Sequence, residues 1–369
     1  MNKIGIVTFF KSYNYGVWLQ AYATQKALEE LGYSVEIINY ANPQEEQKLK
    51  YSYKEGGKLY GYVTSFLKSL LFGKVRYYRK AFGKHLNSYY QITAEKYDNC
   101  QDMSELTYDV LVAGSDQIWS PDTTNGILDP AFLLKFGHAG KRISIASSIG
   151  SKKVREQDFT TFKDAFSHFD AISVRENFAK DELQPLTEIP IQVIADPTFL
   201  LRKERWESLI REKAIYPCEN QNYILTYFVS TDKRSERYFD LVKGYANKLN
   251  LPVWCVQFST YKNENCDKKI VGATMADFLK LIQHAKLVIT DSFHGTALSI
   301  NLNTEFVVIE NRSNPERVRN LLGKLELTER IDLSPNHYHE KEIDFWKVNE
   351  KIEKIHRDSL SWIWKVLNQ

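Results

Sequence analysis

The chain has 369 residues, of which 43% are hydrophobic and 26% are charged, and its formal net charge is +3. This length predicts two domains, the composition is typical of a soluble globular protein, and the small net charge argues against general nucleic-acid binding. No apolar run reaches membrane-spanning length and the N-terminus lacks the apolar stretch of a signal peptide, so we expect a cytoplasmic protein. The four cysteines are scattered without zinc or redox spacing, which predicts reduced thiols and no metal site.

The chain begins with a strand–helix–strand pattern. Residues 4–9 are apolar like a buried strand, residues 17–31 carry an apolar face with helical spacing, and residues 35–39 read as a second strand. This order predicts the first unit of a doubly wound parallel sheet.

The loop after the first strand contains Asn14, Tyr15 and Gly16. It lacks the G-x-G-x-x-G pattern with which dinucleotide-binding proteins approach a pyrophosphate. Two interpretations remain open: these residues contact a sugar-like substrate, or they form a tight turn with an exposed tyrosine.

Residues 56–94 differ in composition from the rest of the chain. They include seven Lys or Arg residues interleaved with aromatics, and no Asp or Glu. Such a segment suits an anionic membrane surface or a phosphate-bearing lipid. Alternatively, it is a helical insertion whose aromatics pack on the first domain and whose lysines are solvated.

Polar residues follow a strand predicted at residues 109–113. These are Ser115, Asp116 and Gln117, which we expect at the carboxyl edge of the first sheet, where open α/β folds bind ligands.

A further strand, predicted at residues 171–174, ends at Arg175 and Glu176. An arginine at a strand end can hold a carboxylate or a phosphate with two parallel hydrogen bonds. It can equally form a salt bridge to Glu176 or to a neighbouring helix.

Alternating strands and helices return between residues 223 and 309 and predict a second doubly wound domain. A proline-containing stretch marks the crossing between domains. We expect the first domain at 1–185, the second at 186–344, and a final helix at 345–369 that packs back on the first domain.

The most informative stretch of the second domain is LVITDSFHGTALSIN, residues 287–301. A short β-branched strand turns into a helix, and the turn carries Asp291, Ser292 and His294. A helix N-terminus beside an acid, a hydroxyl and an imidazole predicts a site rather than a simple cap.

Several stretches together resemble the polysaccharide pyruvyltransferase family. They are GIVTFFKSYNYGVWLQAYATQKALEELGYSVEIINY, YDVLVAGSDQIW, SVRENFAKDEL, VIADPTFLL, TDSFHGTALSINLNTEFVVI and ERVRNLLGKLELTERI. The resemblance implies two Rossmann-like α/β domains in a GT-B-like arrangement. It also implies transfer of a pyruvyl group from phosphoenolpyruvate to two hydroxyls of a sugar, giving a ketal in a surface or capsular polysaccharide.

The resemblance implies roles for particular residues. His294 is expected to move a proton or neutralise the departing phosphate, while Asp116 or Asp291 accepts a sugar proton or orients His294. The residues expected to bind the donor are Arg175, Arg317, Arg319, Ser292, Gly295 and Thr296. Those expected to bind the acceptor are Asn14, Tyr15, Gly16, Ser115 and Gln117. Characterised members often have an arginine where this chain has Ser292, which leaves open the residue that holds the donor.

The expected partners are phosphoenolpyruvate and a sugar or lipid-linked oligosaccharide, with no cofactor, no metal and no nucleic acid. Residues 56–94 suggest peripheral contact with the inner membrane face. Two alternatives remain: a GT-B glycosyltransferase that uses a nucleotide sugar, and a non-catalytic glycan-binding protein.

Overall fold

The computed structural model describes residues 2–12, 14–42, 88–229, 236–257, 266–310 and 315–369. Most of the basic and aromatic segment 56–94 lies outside these residues, so its expected membrane contact stays a prediction. No helix in the described ranges combines the length and the apolar character needed to cross a membrane.

The first domain is built on a parallel sheet with the strand order β2-β1-β3-β4. Its strands are β1 (Lys3–Val7), β2 (Ser34–Ile37), β3 (Thr107–Ala113) and β4 (His138–Ser144). Its helices are α1 (Tyr15–Glu30), α2 (Phe159–Phe166) and α3 (Asn177–Leu183). The central strands β1 and β3 end in runs of buried apolar residues, as expected when helices cover both faces of a sheet.

Two short parallel strands extend this sheet. β5 (Ile172–Val174) pairs with β6 (Ile191–Val193), and isolated bridges from Ile143 to Ala171 and from Ser147 to Val174 connect β5 to the edge of β4. The sequence predicted the domain boundary at residue 185. The sheet of the first domain continues past this residue, because β6 pairs in parallel with β5.

The second domain contains a parallel sheet with the order β11-β10-β7-β8-β9. Its strands are β7 (Ile224–Tyr227), β8 (Val253–Gln257), β9 (Lys268–Val271), β10 (Leu287–Thr290) and β11 (Phe306–Val308). The helices of this half are α4 (Lys203–Lys213), α5 (Glu236–Leu249), α6 (Met275–His284), α7 (Phe293–Asn301), α8 (Glu316–Leu325) and α9 (Phe345–Asn368). The two parallel α/β sheets confirm the predicted fold class.

The last helix, α9, contacts both halves of the chain. Near its end, Lys141 Nζ of β4 donates to the carbonyl of Val366 at 2.9 Å. Earlier in the helix, Ser359 Oγ accepts from the backbone N–H of Ala195 at 3.1 Å, just after β6. On its opposite end, Lys351 forms an ion pair with Glu326, which follows α8.

The start of α1 is packed directly against the second domain. The Tyr15 ring is stacked on Phe278 of α6 with centroids 4.2 Å apart, and its hydroxyl donates to the carbonyl of Ala273 at 2.9 Å. Tyr227 at the end of β7 donates to Asn14 Oδ1 at 3.1 Å. These contacts set the loop after β1 and the carboxyl edge of the second sheet against each other.

Candidate active site

A cleft of about 350 Å³ lies where the carboxyl edges of the two sheets meet. Loops after β1 and β3 form one side, and the turn after β10 together with the start of α8 forms the other. The sequence-predicted residues that line it are Asn14, Asp116, Gln117, Asp291, Ser292, His294 and Arg317. Residues from both domains therefore meet here, as expected for a ligand site in an open α/β fold.

The turn between β10 and α7 is held by Ser292, the N-cap of the helix. Its Oγ accepts from the N–H of Gly295 at 3.2 Å, and its carbonyl accepts from the N–H of Thr296 at 3.0 Å. The hydroxyl of Thr296 is bound to the same carbonyl. The prediction that Gly295 and Thr296 cradle the donor phosphate is therefore wrong in this structure, because their N–H groups already have acceptors within the protein.

His294 is buried at the floor of the cleft, and residues of the first domain define its position. Its Nε2 lies 3.5 Å from Oδ2 of Asp196. On its other edge lies Gly16, where an added Cβ would come within 2.1 Å of His294 Nδ1. Gly16 was expected to contact the acceptor. In the structure, its lack of a side chain leaves room for this imidazole.

Asp196 is a site residue that the sequence did not single out. One oxygen, Oδ1, accepts from the N–H and the hydroxyl of Thr198 at 3.0 and 2.7 Å. The other, Oδ2, accepts from Arg175 Nη1 at 2.7 Å and faces His294. Burial alone would raise the pKa of Asp196, but His294 and Arg175 outweigh it and hold that pKa well below the ordinary range.

Arg175 lies behind the cleft wall, enclosed by three carboxylates. Its Nε donates to Glu176 at 2.9 Å, its Nη1 to Asp196 at 2.7 Å, and its Nη2 lies 3.7 Å from Asp116. Burial lowers the pKa of Arg175, but Glu176, Asp196 and Asp116 more than offset that effect and raise it. The salt-bridge interpretation of Arg175 thus describes the structure, and its Nε and Nη1 are already engaged by carboxylates.

Arg317 lines the cleft itself, and its positive charge is less closely paired with carboxylates than that of Arg175. Its side chain is 13% exposed, its Nε is 3.6 Å from Glu176 Oε1, and this Nε makes no hydrogen bond within the described residues. Burial and the neighbouring charge of Arg175 lower the pKa of Arg317 to about 10. A buried cation in this state is stabilised by an added anion.

Two further acids, Asp116 and Asp291, line the cleft. Asp116 has a φ of 73°, a left-handed backbone conformation that is uncommon outside glycine and often accompanies functional sites. Asp291 instead serves the backbone, because its Oδ1 accepts from the N–H of Val229 at 2.7 Å. No described contact joins Asp291 to His294, so the carboxylate that faces this imidazole is Asp196 rather than Asp291.

Of the remaining residues expected to bind the acceptor, two line the cleft and two are buried in the core. Asn14 and Gln117 reach the cleft, and Asn14 Oδ1 also caps α1 by accepting from the N–H of Gly16 at 2.8 Å. Tyr15 and Ser115 do not reach it. Tyr15 is buried between the domains, and Ser115 is buried with its Oγ donating to the carbonyl of Ala146 at 2.8 Å. Both predictions of acceptor contact, and the alternative of an exposed Tyr15, are therefore wrong.

Arg319, the weaker donor-binding candidate, does not line the cleft, although its partner Glu310 does. Its guanidinium is paired with the carboxylate of Glu310, and its side chain is 55% exposed. Among the residues that the structure describes, no group of three or more His, Cys, Asp or Glu side chains could hold a metal ion.

Comparison with known proteins identifies the family of this chain. Among solved structures, the chain is similar to a UDP-GlcNAc 2-epimerase from Methanocaldococcus jannaschii (TM-score 0.44, 14% identity, 96% of this chain and 92% of that one). It is also similar to UGT89C1 of Arabidopsis thaliana complexed with quercetin (TM-score 0.49, 10% identity, 99% of both chains). No curated protein matches the sequence with significance. The family model described as polysaccharide pyruvyl transferase matches residues 14–314. This match covers most of the sequence and both domains, and the chain therefore belongs to the polysaccharide pyruvyl transferase family.

Proposed function

We propose that this protein transfers a pyruvyl group from phosphoenolpyruvate to two hydroxyls of a sugar, forming a cyclic ketal in polysaccharide biosynthesis. The observation that carries the proposal is that Arg317 and His294 line the same interdomain cleft. Arg317 is a buried cation short of partners, and His294 is an imidazole held next to a carboxylate.

Arg317 is the residue best suited to hold the donor. Phosphoenolpyruvate carries a carboxylate and a phosphate, so its site needs positive charge, and a guanidinium binds either group with two hydrogen bonds. Ser292 stands where many family members have an arginine, and it caps α7. In this chain the cationic function at the cleft wall falls to Arg317, with Arg175 behind it.

His294 is proposed to supply and remove protons. Its Nε2 faces the ionised Asp196, and its Nδ1 lies against Gly16, where the absence of a side chain leaves room for the ring. Arg175 and His294 together keep Asp196 ionised, because they hold its pKa well below the ordinary range. This chain of contacts resembles the general arrangement in which one group orients the base that acts.

The proposed reaction joins one carbon of the pyruvyl group to two sugar oxygens and releases phosphate. A proton adds to the methylene carbon of phosphoenolpyruvate, and the first sugar hydroxyl bonds to the neighbouring carbon. The C–O bond to phosphate breaks, and the second hydroxyl closes the ring. One hydroxyl proton replaces the one used to form the methyl group and the other leaves with phosphate. Asp116, at the first-domain side of the cleft, is the proposed acceptor of a hydroxyl proton.

The direct test is to incubate the protein with phosphoenolpyruvate and candidate lipid-linked sugars. We expect the pyruvyl mass increment on the sugar, detected by mass spectrometry, together with release of inorganic phosphate. Turnover of a nucleotide sugar with release of a nucleoside diphosphate would identify a glycosyltransferase instead. Sugar binding without any turnover would support a non-catalytic glycan-binding protein.

A further inference from the structure

A second cavity of about 310 Å³ lies directly behind the cleft. Phe293 and Arg317 border both spaces, so these two side chains form the partition between them. The stretch after β6, helix α8 and helix α9 complete the walls of this inner cavity. An anion that moves past Phe293 and Arg317 would leave the cleft without crossing the side that an acceptor sugar occupies.

The wall formed by α8 is a row of hydrogen-bond donors. Arg317, Asn320 and Lys324 are spaced at i, i+3 and i+7, which places them on one face of the helix, and all three border the inner cavity. Lys324 has no ion-pair partner within the described ranges, and it lies at the exposed end of the row. The row therefore runs from the partition toward solvent.

The buried end of the cavity holds a further unused donor. Arg175 borders the cavity and is almost fully buried, and its Nη2 makes no hydrogen bond to any described residue. Acids are present too: Glu176 and Asp196 line the same end, and Asp358 approaches from α9. Glu176 and Asp196 are each bound by Arg175, so part of their charge is already compensated.

We propose that the inner cavity binds inorganic phosphate and is the route by which phosphate leaves the cleft, with Arg317, Asn320 and Lys324 as successive donors. The site is distinct from the donor position because Lys324 lies two helical turns beyond Arg317. The exit role rests on the proposed pyruvyl transfer, which releases phosphate at a place that the sugar would otherwise close off. Binding of phosphate in the cavity does not rest on it.

The test of binding is calorimetric titration of the full chain with inorganic phosphate, without donor or acceptor. Lys324→Gln is compared with Lys163→Gln, a change of an exposed lysine on α2, and thermal melting verifies the fold. Loss of a hydrogen bond to a charged group predicts about tenfold weaker phosphate binding for Lys324→Gln and no change for Lys163→Gln. Equal phosphate affinity in the parent and in Lys324→Gln would overturn the proposal.

The test of the exit role is product inhibition. If phosphate binds behind the partition while donor occupies the cleft, phosphate inhibits non-competitively against phosphoenolpyruvate. Lys324→Gln then weakens this non-competitive inhibition. Purely competitive inhibition in the parent would contradict the exit role. If phosphoenolpyruvate gives no turnover, the proposed reaction fails, and the titration still decides whether the inner cavity binds phosphate.

Discussion

Arg175 and Arg317 both hold a guanidinium near the Phe293 ring, at 5.1 and 4.9 Å from its centroid, but they belong to different surroundings. Arg175 sits in a buried ion-pair cluster with three carboxylates, and these raise its pKa. Arg317 sits on the cleft wall, and burial and Arg175 lower its pKa. The same carboxylates lie near both residues, so direct hydrogen bonding to them, not the residue type, separates a structural arginine from one available to a ligand.

The largest effect is expected at His294, on the cleft side of this comparison. We predict that His294→Ala lowers turnover by about 10²–10⁴-fold, the usual contribution of a positioned acid or base, with little change in melting temperature. Phosphate release and thermal melting are measured together, and His168→Ala, on an exposed histidine, is the control. Near-normal turnover would contradict the proposed role of His294, and a collapsed melting temperature would indicate that its packing is structural.

The buried cluster is expected to matter for stability. We predict that Arg175→Ala lowers the free energy of unfolding by about 3–5 kcal/mol, because it leaves Glu176 and Asp196 buried without their main partner. Urea denaturation followed by circular dichroism measures the change, and Arg317→Ala is expected to lose clearly less. If the two variants are equally stable, the distinction between cluster and cleft wall is wrong.

Donor binding should depend more on Arg317 than on Arg175. We predict that Arg317→Ala weakens phosphoenolpyruvate binding by about 1.5–3 kcal/mol, the range for hydrogen bonds to charged groups, and that Arg317→Lys recovers only part of it. Calorimetry with the donor alone measures this. Arg211→Ala is the control, because Arg211 is an exposed arginine on α4 that does not line the cleft. Unchanged affinity in Arg317→Ala would remove Arg317 from the donor site.

The smallest effect per residue concerns the segment 56–94, whose contact with a membrane is predicted from composition alone. Each basic group near an anionic surface contributes about 1 kcal/mol, and this contribution falls as salt screens it. Changing Lys74, Arg76, Arg79 and Lys80 to Gln should therefore reduce sedimentation with anionic vesicles at low salt.

The control for this experiment removes the same charge elsewhere, by changing Lys163, Lys248, Lys269 and Lys354 to Gln. Neutral vesicles provide a second comparison. If both variants lose binding equally, the segment has no special role, and if neutral vesicles bind as well as anionic ones, the attraction is not electrostatic.

Local patterns in the sequence were sufficient to predict the turn at His294. The β-branched run of β10, the cap at Ser292 and the following helix are contiguous, so their geometry follows from neighbouring residues. β9 was not predicted because it begins with two lysines and has only one fully buried position. Contiguity and burial therefore decide which elements a single sequence reveals.

The partners of the site residues were harder to predict because they depend on contacts between distant parts of the chain. Asp196 precedes Pro197, where an aspartate is an ordinary cap, and one of its oxygens does cap that turn. Its second oxygen meets Arg175 and His294, which only the folded chain brings together. Tyr15 was expected either to contact a sugar or to be exposed in a turn, and it is covered by Ala273 and Phe278 for the same reason.

The contact between Gly16 and His294 has a consequence for exchanging domains between related proteins. The imidazole belongs to the second domain, but the space beside it belongs to the first, and a single methyl group at Gly16 would occupy it. A chimera must therefore inherit both residues as a matched pair to keep the imidazole in place. The position of His294 therefore depends on both domains, and neither domain fixes it alone.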